Sequence, residues 1–357
     1  MKLRSILFIV LLFITPLFYN INTLCIHAQE KRYIKREFVI LIDEGHGPFF
    51  GYKELSIALA FANESLKYEN ITIKVYTIDG RINSSTLLGV DLLIIPPTNG
   101  SSDYTQEEGR ALEKYIKIGG SVLILGAPYL RKRDKNPDLS ILNELISSMN
   151  VSFDARFYHE GGVGDVVGDV INGEGEIIII RETYASDELK DLFRNISSVE
   201  VSSASIELRE EKDVYVIKTP STSYRVNGDG AIEYNNSGQV IFAAKEIEEG
   251  LLALIGFGES FTNLTSPKGF SWVSMEANKI FFANLIKWML RLDRWIVEEA
   301  APAGPIYLYI LLAAIPLISL YPVARRIDKK REEAIRKKKE EIKISEILKK
   351  IREKEKE

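Results

Sequence analysis

A group of ionisable side chains follows the first apolar segment of the chain. Residues 38–42 are predicted to form a buried strand, and Asp43-Glu44-Gly45-His46-Gly47 comes directly after it. Carboxylates and an imidazole at this spacing could bind a metal ion or act as a general acid and base. The neighbouring glycines would let a ligand approach the backbone closely. Because ligands bind beyond the carboxyl ends of parallel strands, a functional site is expected here.

Four roles remain open for this group. A metal ion would need Asp43, Glu44 and His46 together with a ligand from elsewhere, such as His159 or Glu259. A glycosidase or another hydrolase would need a second carboxylate from a different loop, because adjacent side chains point apart. The group could also recognise a ligand or a partner without catalysis. In the simplest structural role, Asp43 caps the following turn and His46 packs and hydrogen-bonds locally.

Polar residues that follow later predicted strands belong to the same candidate site. Asn99 follows the strand predicted at 91–95, and Glu259 follows the strand predicted at 251–256. The candidate ligand-binding residues are therefore Asp43, Glu44, His46, Asn99 and Glu259. Three nearby aromatic residues could stack on a sugar, although such residues more often belong to the core; they are Phe49, Phe50 and Tyr52. A carbohydrate is one ligand that these residues could bind, the identity of the ligand stays open, and no cofactor is predicted.

The segments that position these residues alternate between strands and helices in the first half of the chain. Strands are predicted at 38–42, 71–76, 91–95 and 121–125, and helices at 55–66, 105–118 and 139–149. Thr105-Gln-Glu-Glu108 is a capping box that marks a helix start, and Gly119-Gly120 ends that helix. This order predicts a parallel sheet with helices on both faces.

The second half is predicted to be richer in β-structure. The glycine-rich segment 161–175 is predicted to be a loop. Strands are predicted at 177–180, 199–208, 214–218, 240–244 and 251–256. A closing helix is predicted because its apolar residues share one face; they are Ala277, Phe281, Leu285, Trp288 and Leu292.

Several segments, in this order along the chain, resemble the class I glutamine amidotransferase-like superfamily. They are residues 38–47, 87–96, 107–126, 250–263 and 278–290. Within it the chain is most similar to a non-catalytic branch: DUF4350-type domains, ABC-transporter auxiliary (gliding-motility-type) domains and intraflagellar-transport-52-like domains. The resemblance implies an α/β fold over 37–292, with a flavodoxin-like or amidotransferase-like parallel sheet flanked by helices and a more β-rich second half.

One departure from the superfamily decides what the resemblance implies about activity. An amidotransferase needs a cysteine nucleophile activated by a histidine. The single cysteine of the chain is Cys25, which precedes the amidotransferase-like region. Amidotransferase activity is therefore excluded, and the resemblance implies binding or scaffolding.

Both ends of the chain predict a protein that crosses a membrane once. Residues 1–28 have the basic start and apolar stretch of a signal peptide. Residues 304–324 carry no charge, and a helix of that length spans a bilayer core of about 30 Å. The basic residues from Arg325 onward mark the cytoplasmic side. We therefore expect an outside domain at 37–292, a stalk at 293–303 and a charged cytoplasmic helical tail at 325–357.

Charge and glycosylation motifs agree with an external domain. The formal net charge is −4, and the lysine- and arginine-rich tail leaves the remainder of the chain acidic, which argues against a nucleic-acid partner. The Asn-x-Ser/Thr motif, an acceptor only in exported proteins, occurs more often than composition predicts. The candidate glycosylation sites are Asn63, Asn70, Asn83, Asn99, Asn150, Asn195, Asn235 and Asn263.

These features together predict a membrane-anchored extracellular binding or scaffolding protein with a catalytically inactive amidotransferase-like domain. Its expected partners are the membrane and a protein of the membrane or envelope, such as an ABC-type transporter. The alternative is an extracellular hydrolase that acts on glycans or peptides through Asp43, Glu44 and His46.

Overall fold

The computed structural model describes most of the predicted outside domain and short parts of the tail. The described residues are 37–130, 133–158, 165–169, 177–210, 212–227, 231–234, 238–292, 325–326, 329–333 and 335–338. The described residues up to 292 belong to one compact unit, and those of the tail belong to a second.

A seven-stranded, mostly parallel sheet forms the centre of the first unit. Its strands are β1 (Glu37–Asp43), β2 (Thr72–Ile78), β3 (Leu92–Ile95), β4 (Ser121–Leu125), β10 (Tyr215–Lys218), β13 (Val240–Ile247) and β14 (Gly250–Ile255). They lie in the order β10-β13-β14-β4-β3-β1-β2. Pairing is parallel from β14 to β2, while β13 runs antiparallel to both of its neighbours. The prediction of a mixed α/β fold with a parallel-rich sheet is therefore confirmed.

Helices cover both faces of this sheet. The helices are α1 (Tyr52–Lys67), α2 (Gln106–Lys117), α3 (Leu139–Ser148) and α4 (Glu276–Met289). Alternate residues of β1 face opposite sides of the sheet. Ile40 and Ile42 pack with α1 and α4, whereas Leu41 packs with α2 and α3. Because the central strands are buried on both faces, they consist of nearly continuous aliphatic residues.

The remaining strands form three small antiparallel sheets. They are β5 (Ala155–Phe157), β6 (Asp165–Asp169), β7 (Ile178–Ile180), β8 (Val199–Val201), β9 (Ile206–Leu208), β11 (Ser223–Asn227) and β12 (Ile232–Tyr234). Strands β6, β11 and β12 form one sheet, β5 pairs with β9, and β7 pairs with β8. Short 3₁₀ turns connect several of these elements.

Two predictions for this half are corrected. The predicted loop at 161–175 contains β6, which exists because β11 supplies a pairing edge. The predicted single strand at 199–208 is two strands in different sheets, broken where Ala204 donates its N–H to the Gly256 carbonyl at 3.0 Å. A side chain at Gly256 would lie 2.0 Å from the Ala204 oxygen, so this crossing requires glycine.

The predicted membrane segments lie mainly outside the described residues. These are the signal peptide at 1–28, the stalk at 293–303 and the span at 304–324. Among the residues that are described, none of the helices has the length and apolar character needed to cross a bilayer. The described parts of the tail, at 325–326, 329–333 and 335–338, are helical and exposed.

Candidate functional site

Asp43 ends β1 and is almost completely buried, with 2 % of its surface exposed. Its Oδ1 accepts the Gly45 N–H at 3.0 Å, which closes the turn after the strand. Its Oδ2 lies 2.8 Å from His46 Nδ1 and accepts the Tyr104 hydroxyl proton at 2.6 Å. Both carboxylate oxygens are therefore occupied by groups of the protein itself.

His46 lies between two buried carboxylates. Its Nε2 is 3.0 Å from Glu108 Oε1, and its Nδ1 faces Asp43 on the opposite side. The Tyr104 ring stacks on the imidazole with a centroid distance of 3.9 Å. Each ring nitrogen thus faces a buried carboxylate oxygen, and Nε2 also lies 3.3 Å from Arg81 Nη1. Both ring nitrogens are therefore occupied by groups of the protein itself.

Glu108 joins this cluster from the first turn of α2. Its carboxylate accepts the N–H groups of Ile82 at 2.8 Å and Thr105 at 2.9 Å, and it contacts Arg81 Nη1 at 3.0 Å. Burial would raise the pKa of Glu108, but the backbone donors of Thr105 and Ile82 and the charge on His46 outweigh it and lower the pKa. Glu108 is therefore ionised and serves as the second anion that holds His46.

Tyr104 is held on the same cluster through its hydroxyl. Burial, the charge of Asp43 and the hydrogen bond to Asp43 raise the pKa of this phenol well above its ordinary value. Tyr104 is thus a neutral donor with a fixed ring. We call Asp43, His46, Tyr104 and Glu108 the buried network.

Sequence reasoning missed half of this network. The predicted site contained Asp43 and His46, while Tyr104 and Glu108 were not predicted as site residues. One signal pointed to them: the capping box starts a helix directly after β3, which lies beside β1 in the sheet. That position brings the start of α2 to the carboxyl end of β1.

Glu44 has a structural role at the start of α1. Its Oε1 accepts the Tyr52 N–H at 2.7 Å, and Glu54 Oε2 accepts the Gly51 N–H at 2.9 Å. These carboxylates satisfy backbone donors that a helix start leaves unpaired. Glu44 and Asp43 therefore bind different parts of the protein and do not form an acid–base pair.

Asn99 lies on an exposed loop that closes the crevice between β1 and β3. Its N–H donates to the Gly47 carbonyl at 2.9 Å, and the Phe49 N–H donates to Pro97 at 2.6 Å. The Asp138 N–H donates to Thr98 at 2.9 Å on the other side of this loop. Ligands of doubly wound folds bind at this switch point, but here backbone pairing occupies it.

Glu259 belongs to a separate contact at the carboxyl end of β14. It is 1 % exposed, and its Oε1 accepts Arg133 Nη2 at 2.7 Å. Its buried Oε2 has no hydrogen-bond partner among the described residues. Burial raises the pKa of Glu259, and the Arg133 charge opposes this only in part. The Arg133 guanidinium also lies 5.2 Å from the centre of the Phe49 ring.

The three aromatic residues beside the first motif differ in exposure. Phe50 is 1 % exposed and belongs to the core, and Phe49 is half-buried edge-on against it. Tyr52 is 43 % exposed at the start of α1. These residues do not form a shared stacking surface, because only Tyr52 is freely accessible.

Possible metal ligands and cavities complete the description. Within the described ranges, no group of three or more His, Cys, Asp or Glu side chains is arranged to hold a metal ion. His159, one predicted partner for such a site, lies outside those ranges. A groove of about 620 Å³ lies beside Tyr104, and a cavity of about 700 Å³ lies at the opposite, amino end of the parallel strands.

Comparisons with known proteins show similarity to solved structures at low sequence identity. No protein-family model matches the chain, and no curated protein matches it. The mmIFT52 N-terminal domain is similar at a TM-score of 0.45 and 17% identity, over 70% of this chain and 96% of that chain. A ThuA-like protein from Bacteroides uniformis is similar at a TM-score of 0.40 and 14% identity, over 71% of this chain and 91% of that chain.

A cytoplasmic protein, STM3548 from Salmonella typhimurium, is similar at a TM-score of 0.37 and 12% identity, over 71% of this chain and 98% of that chain. The structural neighbours thus include ThuA-like proteins, of the class I glutamine amidotransferase-like fold, and an IFT52 domain, all at low identity. These likenesses assign neither a family nor an activity. The finer resemblance to DUF4350-type and transporter-auxiliary domains stays a prediction.

Proposed function

We propose that this chain is a membrane-anchored extracellular binding or scaffolding protein whose α/β domain does not catalyse a reaction. One observation carries the proposal. The ionisable residues of the first motif are all used to hold the protein together: Asp43 and His46 in the buried network, and Glu44 as a cap of α1. The predicted hydrolase would need these groups to reach a substrate.

The position of the predicted glycosylation sites supports exposure to the outside of the cell. Six of the eight asparagines are exposed: Asn70, Asn83, Asn99, Asn150, Asn195 and Asn263. Asn63 is half-buried and accepts the Ile73 N–H at 3.0 Å, and Asn235 lies outside the described residues. We propose that the exposed sites carry glycans, because an exported chain would present them to the glycosylation machinery.

The tail supports a partner on the other side of the membrane. Its described residues form exposed helical segments that are mostly basic, with Ile335 52 % exposed among them. Basic residues next to a span attract anionic headgroups by about 1 kcal/mol per charge. We propose that the tail and the outside domain together hold a membrane or envelope complex, with an ABC-type transporter as the proposed partner.

The proposal is tested by purifying the tagged full-length protein from native membranes after mild cross-linking. We expect a permease or ATPase to be recovered in stoichiometric amount. The full chain has a mass of 40.4 kDa. Deglycosylation of the same sample should reduce its mass to this value, less the mass of the signal peptide where that has been cleaved. Recovery of the protein alone, with unmodified sequon peptides, would overturn the proposal.

A second assay tests the absence of catalysis. The wild type and the double variant Asp43→Asn, Glu44→Gln are incubated with a panel of glycosides and peptides. We expect no turnover by either protein. Turnover by the wild type that the double variant lacks would establish the hydrolase instead.

A further inference from the structure

We propose that the groove beside Tyr104 binds a carbohydrate. The inference rests on the proposed non-catalytic binding function and names the ligand class. Tyr104 and Gln106 come from the start of α2, Ser140 and Ser147 from α3, and Arg156 from β5. The groove holds about 620 Å³, which lies within the range of small-molecule sites.

The groove lies on the side of the sheet where ligands of open α/β folds bind. Tyr104 is bonded to Asp43 at the carboxyl end of β1, and Ser140 lies at the start of the helix that follows β4. Backbone pairing closes the crevice directly above β1 and β3. The groove beside α2 and α3 is therefore the accessible concave surface next to that closed switch point.

Neutral polar groups dominate the wall formed by α3. Ser140 Oγ donates to Asp138 at 2.5 Å, and Ser147 Oγ donates to the Asn143 carbonyl at 2.9 Å. A hydroxyl that donates inward still presents acceptor lone pairs outward. These serines therefore suit ligand hydroxyl groups, which can donate to them.

The other two walls of the groove, formed by α2 and β5, supply hydrogen-bond donors. Gln106 is exposed at the first position of α2 and carries an amide that both donates and accepts. Arg156 binds Glu207 through Nε at 2.9 Å and Nη2 at 2.8 Å, and a guanidinium has five N–H groups in total. The positive charge of Arg156 and the negative charge of Glu144 cancel, so the lining has no formal net charge. This composition matches a neutral polyol better than an apolar or strongly charged ligand.

Tyr104 supplies the aromatic surface that a sugar ring needs. Its ring is half-buried: His46 stacks on it at 3.9 Å, and its hydroxyl is fixed on Asp43 at 2.6 Å. A ring held in this way loses little conformational freedom when a ligand packs on it. The buried network thereby acquires a role, since it positions Tyr104 as a rigid wall of the groove.

The test uses full-length protein in a detergent without a sugar headgroup. Saturation-transfer NMR measures binding of glucose, galactose, mannose and N-acetylglucosamine, as monosaccharides and disaccharides, up to about 20 mM. We expect at least one to bind saturably, with a Kd of about 1 mM. Tyr104→Ala should weaken that binding at least tenfold, whereas Tyr52→Ala, at an exposed tyrosine elsewhere, should leave it within twofold.

A second variant covers the case in which Tyr104→Ala fails to fold. Ser147→Trp fills the groove from an exposed position and should abolish binding without changing thermal unfolding. Its matched control is Ser56→Trp, at a surface serine of α1 whose hydroxyl also donates to its own helix, at 2.8 Å. This control should bind as the wild type does.

The outcomes separate this inference from the proposed function. Absence of binding by every sugar, or binding that survives Ser147→Trp, overturns the groove proposal alone, because partner recovery from membranes is measured independently. Slow hydrolysis of a bound disaccharide in the same NMR tube would overturn the non-catalytic function and leave the binding site in place.

Discussion

The two halves of the α/β unit stabilise their buried carboxyl groups differently. In the first half, Glu108 receives donors from His46, Arg81, Ile82 and Thr105, and its pKa is lowered. In the second half, Glu259 and Asp165 have fewer partners, and burial raises the pKa of both; that of Asp165 rises to about 6. Burial and the number and charge of the donors together decide which carboxylate stays ionised.

The difference separates a structural cluster from groups that respond to pH. A network in which every polar group is hydrogen-bonded holds its side chains in one geometry. A buried carboxylate with few donors exchanges a proton more readily in the physiological range. The four predictions below test this contrast, beginning with the largest expected effect.

Removing His46 from the first-half network should be the most destructive change. His46→Ala leaves Asp43 and Glu108 buried without their shared partner, which costs about 3–5 kcal/mol of unfolding free energy. Urea unfolding of wild type and variant measures this difference. As a control, Lys67→Ala removes an exposed pair with Glu64 and should have little effect. Equal stability of the His46 variant and the wild type would show that His46 does not stabilise the two buried carboxyl groups.

Asp165 should make stability fall as pH rises. Because its pKa is about 6 in the folded state and 3.8 ordinarily, the folded protein binds this proton more tightly. The contribution is complete below about pH 4 and is lost as pH rises through 6, by at most about 3 kcal/mol.

Asp165→Asn isolates this effect. Asp165 accepts the Ser205 N–H at 2.9 Å and the Ser205 hydroxyl at 2.5 Å. The asparagine Oδ1 can keep the first bond, and its Nδ2 can donate to the Ser205 hydroxyl oxygen in place of the second. Unfolding free energies measured from pH 4 to pH 8 should therefore vary less in the variant. A variant with the same slope as the wild type would assign the pH dependence to another group.

Tyr104→Phe should have an intermediate effect on stability. It keeps the ring but removes one hydrogen bond to the charged Asp43, which is worth about 2 kcal/mol. Thermal unfolding measures the loss, and the sugar-binding assay shows whether the ring alone suffices for the groove. If Tyr104→Phe were as unstable as His46→Ala, the hydroxyl and not the charge pairing would dominate the network.

Arg133→Met should cost least, and its cost should depend on pH. Methionine keeps the apolar packing near Phe49, and Glu259 can take up a proton once its cation is gone. We expect a cost of about 1 kcal/mol near pH 5 and a larger one near pH 8, because the uncharged carboxyl needs no ion partner. A cost that is independent of pH would show that Glu259 stays ionised, and would remove the contrast with the first half.

Regular local patterns were sufficient to predict most of the first half. The strands at β1, β3 and β4 are short aliphatic runs, and the capping box at Thr105 and Glu108 marks the start of α2 correctly. Such signals succeed because they depend on neighbours within a few residues. The small sheets of the second half were predicted less well, since β6 is stabilised by its pairing with the distant β11.

The roles of the candidate residues required the tertiary structure. Spacing joins Asp43 to His46 and Thr105 to Glu108, but no local pattern says that these two pairs meet. The sheet order brings them together by placing β3 beside β1. For the same reason, the sequence could not show that Glu44 caps α1 while Asp43 is buried in a network.

The class of fold, the absence of a cysteine nucleophile from the domain and the prediction of a membrane-anchored topology all follow from the amino-acid sequence. These follow from composition and short-range periodicity, which the chain carries in any conformation. The three-dimensional structure was needed to show which polar residues have hydrogen-bond partners inside the protein and which face a groove. That distinction depends on donors and acceptors far apart in the chain, and burial makes each unpaired group costly enough to fix its partner.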